Sequence, residues 1–272
     1  LSGALMCSLA QATPVQIYTF GIFPGGEEVN GFHGSLFYSD TGTVSGVDLP
    51  ILGYGELDKL NGLQIGAVAG SHIREGMNGA AIGLFNWHGG EDNGLNMGIA
   101  NQVGNLNGAN IGFYTGGASV SRVNLGVVTY TGDMTGANIS VFNWSENITG
   151  LNLSAFNRTR DVTGVNLGAV NVAGNITGVN IGVLNYADDV TGLNLGGINV
   201  AQKVTGLNLG GINVSESSSA DIGLINYADT TCFQFGLFNA TKHLEGLQIG
   251  LINVATNATV PVLPLVNFHR SF

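Results

Sequence analysis

The sequence reads as an all-β protein, a parallel β-solenoid of about seventeen fourteen-residue coils, on three observations. The first is a period. Thr-Gly-Ala-Asn-Ile at Thr135 returns as Thr-Gly-hydrophobic-Asn-hydrophobic at Thr149, Thr163, Thr177, Thr191 and Thr205, fourteen residues apart each time. A fixed period of this length marks stacked, quasi-one-dimensional architecture. The second is the spacing inside one unit, where Val190, Leu193, Leu195, Ile198 and Val200 lie 3, 2, 3 and 2 residues apart. A helix would give only 3 and 4, and a plain strand only 2. Alternation between them describes short strands separated by corners. The third is glycine: 44 residues, about twice the usual share, held at fixed phases where a corner needs a positive φ.

Taken in order along the chain, residues 1–12 read as the tail of a secretory signal peptide, with Ala10-Gln11-Ala12 as an A-x-A site before Thr13. Cys7 is a weaker candidate for a lipid-anchored cysteine, because Met6 before it is large. Residues 13–30 are assigned to an N-terminal cap and 31–259 to the repeat domain. Marker glycines open units at Gly31, Gly46, Gly62, Gly79, Gly94 and Gly108, then from Gly136 to Gly206 in steps of fourteen, with Gly246 later. Arg122, Ser219, Cys232 and Val260 take the same place in their units, which brings the count to seventeen. Residues 260–272 form a C-terminal capping unit, because Pro261 and Pro264 cannot donate to a ladder and belong at an edge. Leu263, Val266 and Phe268 are expected to close the core beneath them.

In the unit from Val190 to Lys203, the five apolar residues Val190, Leu193, Leu195, Ile198 and Val200 are expected to face a narrow core. Asn194 is expected to be less buried than its neighbours. Two polar columns accompany them. One includes Asn166, Asn180, Asn194 and Asn208 and continues as Asp221, Gln234 and Gln248; the other includes Asn171, Asn185, Asn199 and Asn213. Stacked amides can hydrogen-bond from coil to coil. A ligand-facing amide surface is the less favoured alternative. Trp87 and Trp144 fall in a phase expected to face the core, and Cys232 is expected to be packed.

Gly246-Leu247-Gln248-Ile249-Gly250-Leu251-Ile252-Asn253, followed by Pro261-Val262-Leu263-Pro264-Leu265-Val266-Asn267-Phe268, resembles surface-repeat proteins of some Gram-negative bacteria and spirochaetes. Leu-Asn-Leu-Gly-Gly with Ile-Asn-Val-Ala-Gln is locally similar to pentapeptide repeats. The resemblance implies a bacterial surface or outer-membrane location and no catalytic residues.

Composition narrows function further. The net charge is −10, with eight basic residues scattered singly, so nucleic acid is a poor partner. His33, His72, His88, His243 and His269 fall at unrelated phases and read as surface or turn residues, not as metal ligands. Asp188-Asp189 lacks a recurring calcium pattern, and no phosphate loop follows the glycines. No cofactor, metal site or catalytic residue is expected, and the chain reads as non-enzymatic. The leading expectation is an exported, structural or adhesive rod, able to self-associate or to lie at the cell surface. An antiparallel outer-membrane β-barrel, porin-like in character, is the alternative, supported by positive hydropathy and a unit long enough for one tilted strand and a turn. Arg270 and the terminal Phe272 bear on that choice through the usual barrel-ending signal. An ice-binding solenoid, carried by the Thr column from Thr135 to Thr205, is a minor alternative.

Overall fold

In the computed structural model the described residues are 12–22, 28–66, 68 and 70–269. The signal-like segment up to Gln11, and Arg270 and Phe272, lie outside them. The strands are β1 (Thr13–Ile22), β2 (Glu28–Pro50), β3 (Tyr54–Ile65), β4 (Gly70–Ile82), β5 (Phe85–His88), β6 (Glu91–Leu125), β7 (Val128–Leu167), β8 (Val170–Ala255) and β9 (Val262–Phe268). The chain divides into two compact units, residues 1–131 and 132–272. Each is a parallel β-solenoid. The longest strands contain whole coils, because pairing with the neighbouring coils continues through the corners.

Successive coils pair in parallel. Tyr38 lies opposite Tyr54, Gly79 opposite Gly94, and Gly164 opposite Gly178. Cross-coil side-chain bonds span 16 residues early, 15 in the middle of unit 1, and 14 or 13 in unit 2. An antiparallel barrel is therefore not the fold. β1 pairs in parallel with β2, with Thr13 opposite Val29.

The interior differs from expectation in phase. In the unit from Val190, the inward residues are Val190, Asn194, Asn199 and Ala201, all buried. Side chains alternate along a strand, so Asn194 inward forces Leu193 and Leu195 outward. Leu193, Leu195 and Val200 are half-buried, and Ile198 is exposed. Of the five residues expected in the core, only Val190 is there. The stronger hydrophobes take the outward phase of the fourteen-residue coils, and the inside holds amides and small side chains, plus an aliphatic column of Met134, Ile148, Val162, Ile176, Val190 and Val204 in unit 2. Unit 1 has a richer apolar core at its start, formed by Val29, Val44, Leu57, Leu60, Ile73, Met77 and Ala81.

The marker glycines hold the stack at its tightest corner. Gly192 has φ +127°, and a Cβ there would overlap the carbonyl oxygen of Gly178 on the preceding coil. Arg122 keeps the same phase with φ +102°, a conformation costly for a residue with a Cβ.

The last unit is not another coil. β9 runs antiparallel to the end of β8, with Leu247 opposite Phe268 and Gln248 opposite Asn267. Pro261 and Pro264 are exposed at this reversal, with Leu265 at φ +68°. Phe268 and Val266 are exposed and Leu263 is half-buried, so they do not close the core; Asn267 is the buried residue of the strand.

Candidate functional site

Two amide ladders form the centre of unit 2. In the first, Asn166 Nδ2 donates to Asn180 Oδ1 at 3.1 Å, Asn180 to Asn194 at 3.0 Å, and Asn194 to Asn208 at 3.2 Å. Asn208 then donates to Asp221 at 3.1 Å, and Gln248 to Gln234 at 2.8 Å. In the second, Asn171 donates to Asn185 at 2.9 Å, Asn185 to Asn199 at 2.8 Å, and Asn199 to Asn213 at 2.9 Å. The second ladder also holds corners: Asn185 Nδ2 donates to the Leu195 carbonyl at 2.9 Å, and Asn199 Nδ2 to that of Leu209 at 3.0 Å. A primary amide has two N–H donors and an acceptor, so one side chain can bond to the next coil's amide and to its corner together. Burying such a group without partners would be costly; from Asn166 to Asn208 and from Asn171 to Asn213 the repeat supplies a partner on the next coil, whereas Asn157 Oδ1 and Gln248 Oε1 are buried without one. Both ladders are interior, which makes the ligand-facing amide surface untenable for these residues.

The outward Thr column of unit 2, Thr135 to Thr205, is exposed on each coil. In unit 1 the same phase carries an exposed asparagine column that the sequence reading did not single out. Asn78 donates to Asn61 at 3.2 Å, Asn93 to Asn78 at 3.1 Å, and Asn107 to Asn93 at 3.2 Å.

Two histidines expected at the surface are interior. His33 Nδ1 lies 2.5 Å from Asp48 Oδ1, and Gln64 Nε2 donates to Asp48 Oδ2 at 2.6 Å. These three residues take, in unit 1, the same phase of the repeat as the first amide column of unit 2. His88 Nδ1 lies 2.5 Å from Asp92 Oδ2, which also accepts from Asn96 at 2.9 Å. The signal was available: His88 falls in the column of Ala201 and Asp92 in that of Val190, both inward. His72 is half-buried and His243 exposed.

Ser71 Oγ stands 3.2 Å from His88 Nε2. The order hydroxyl, imidazole, carboxylate matches the relay of serine hydrolases. Ser71 is only 2% exposed and also donates to Asn86 at 3.2 Å, so the hydroxyl is engaged within the buried polar column. This group is a polar core network. Among the described residues, no cluster of three or more His, Cys, Asp or Glu is arranged to hold a metal.

Asp221 is buried, with Ser218 Oγ donating at 2.5 Å and Gln234 Nε2 at 3.4 Å. Burial pushes its carboxyl above the ordinary carboxylate range, and the three donors to it only partly offset this. On the outside, Arg74 binds Asp40, Glu56 and Asp58 at 2.7, 2.8 and 2.7 Å. Cys232 is exposed, not packed, and burial followed by the Glu245 carboxylate raises its thiol pKa. Trp87 and Trp144 are exposed, against the core assignment, with the Arg158 guanidinium 4.5 Å from the Trp144 ring centre.

The exterior is where the large hydrophobes lie. Leu224, Leu237 and Leu251 occupy one phase on consecutive coils and are 59, 53 and 60% exposed. They border a groove of about 460 Å³ with Phe235, Ile249 and Leu265. Fold and interior together define a class, the β-solenoid repeat proteins whose coils are joined by amide ladders. Comparison with family models, curated proteins and solved structures finds no match to this chain.

Proposed function

We propose that this protein is a non-enzymatic, exported bacterial surface-repeat protein, a structural or adhesive element that acts through its outer face. One observation carries the reading: hydrophobic columns such as Leu224, Leu237 and Leu251 lie on the outside of a tube whose inside is filled with amides. A contiguous exposed apolar surface marks an interaction site. The Gly-Leu-Gln-Ile-Gly-Leu-Ile-Asn units add support for the bacterial surface through their resemblance to surface-repeat proteins, and the signal-like residues 1–12 for export.

The test replaces Leu224, Leu237 and Leu251 together with Ser. Because these side chains face outward, the β-sheet circular dichroism should remain while attachment to hydrophobic or cell surfaces, or self-association by light scattering, falls. Unchanged attachment and association in the folded triple variant would remove the reading. Fractionation of the producing cell tests location: recovery in the cytosol would reject the export part.

A further inference from the structure

Unit 1 carries a cleft of about 480 Å³ on its outer surface, a size usual for small-molecule sites. Tyr54, Phe85, Trp87 and Tyr114 give it aromatic walls beside Ala100 and Gln102, and the buried polar column of Ser71, Asn86 and Asn101 also lines it. The repeat explains the opening. Gly70, Phe85 and Ala100 stand in register on successive coils, so a ring is flanked by a bare backbone on one side and a methyl on the other. Trp87 is 62% exposed.

Charge on the coils before the cleft is one-sided. Three carboxylates converge on the single guanidinium of Arg74, leaving an excess of negative charge. Asp40, Glu56, His72 and Trp87 follow one another in one register column, which puts Glu56 two steps of about 4.8 Å from the Trp87 position. The Tyr54 phenol reports the field: its pKa is raised by burial first and then by Glu56.

Unit 2 contains an internal comparison. Trp144 occupies the phase of Trp87, and the chain sets Arg158 over its ring at 4.5 Å. At Trp87 the residue next in register is the uncharged Gln102. Among the described residues, no cation is placed over the Trp87 ring. We propose that the cleft binds a small organic cation of the quaternary ammonium class, stacked on Trp87, with Tyr54, Phe85 and Tyr114 around it and the Asp40, Glu56 and Asp58 carboxylates supplying a favourable field. Such a cation is weakly hydrated and needs no hydrogen-bond acceptors, so an aromatic wall suits it through cation–π attraction. The surplus carboxylate charge selects a ligand with net positive charge, like choline, over a zwitterion such as phosphocholine. This site does not depend on the adhesive reading, which rests on the outer face of unit 2.

The test titrates the full chain with choline chloride, read by tryptophan fluorescence and by the indole N–H resonances, beside its neutral isostere 3,3-dimethylbutanol. Saturation is expected on the order of millimolar, with the isostere at least about tenfold weaker. Trp87→Leu should weaken choline binding by about tenfold or more, whereas Trp144→Leu leaves it unchanged. Gln102→Arg, which copies the Trp144–Arg158 arrangement, should likewise block the cleft without shifting the melting curve. It decides the matter if Trp87→Leu fails to fold. Equal affinity for the isostere, undiminished binding by Gln102→Arg, or no saturable binding would overturn the proposal. Tighter binding to phosphatidylcholine vesicles than to choline, or to methyl glucoside than to choline, would reject a free organic cation as the ligand.

Discussion

Asparagine lies inside this chain and leucine outside, and the hydrogen bond explains how that is stable. Asn180 donates to Asn194 and Asn194 to Asn208, so Asn194→Ala strands the Asn180 donor and the Asn208 acceptor together. An unsatisfied buried polar group costs about 1–3 kcal/mol, so the variant should lose about 2–4 kcal/mol in denaturant unfolding; a loss under about 1 kcal/mol would mean the ladder is ornamental. Asp221 interrupts that ladder with a carboxyl whose pKa burial raises. The folded state therefore binds more protons than the unfolded state between the two pKa values. Stability is highest below that window and falls as pH rises through it. Asp221→Asn removes this loss while keeping an amide in the column. Its melting temperature should exceed that of the wild type at about pH 7 and converge with it toward about pH 3. The His88–Asp92 pair is a different case, because its two side chains stand at the inward phases that small and aliphatic residues take in unit 2.

At the scale of the strand, phase decides everything, because a shift of one residue exchanges inside and outside. Leu195→Asp, at a half-buried outward position, should cost about 1 kcal/mol in denaturant unfolding and leave the coils folded. Val190→Asp, which places a charge in the one aliphatic column, should unfold the neighbouring coils. The reverse outcome in thermal melts would place Leu195 in the core and Val190 outside it. Gly192→Ala meets both a positive φ and the Gly178 carbonyl, and should cost at least about 2 kcal/mol. The marker glycines were legible as corner residues from their period. Which neighbours faced inward was not, since Asn and Leu alternate with the same spacing and either phase satisfies it.

Unit 2 as a whole closes with β9, which turns back antiparallel and covers the edge of Leu247–Val254. An uncovered parallel edge invites pairing with another chain. Truncation after Thr259 should therefore keep the β-sheet signal and form larger species by light scattering. A truncated chain that stays monomeric with unchanged stability would show that β9 protects nothing. The outer columns Leu224, Leu237 and Leu251 contribute a second route to association, and the Ser variants described above separate the two.

The period, the corners, the parallel stacking and the two amide columns were determined by the sequence alone, because a repeat writes the same local geometry many times and noise cancels. Only the tertiary structure decided that the amides fill the tube, that His33 and His88 are interior, and that Trp87 and Trp144 face out. The reason is that hydrophobicity argues for burying Leu and Ile, but Asn and Leu alternate with the same spacing, and only the bonds made from coil to coil select which of the two faces in. A column of amides satisfied by its neighbours above and below is the packing that fits.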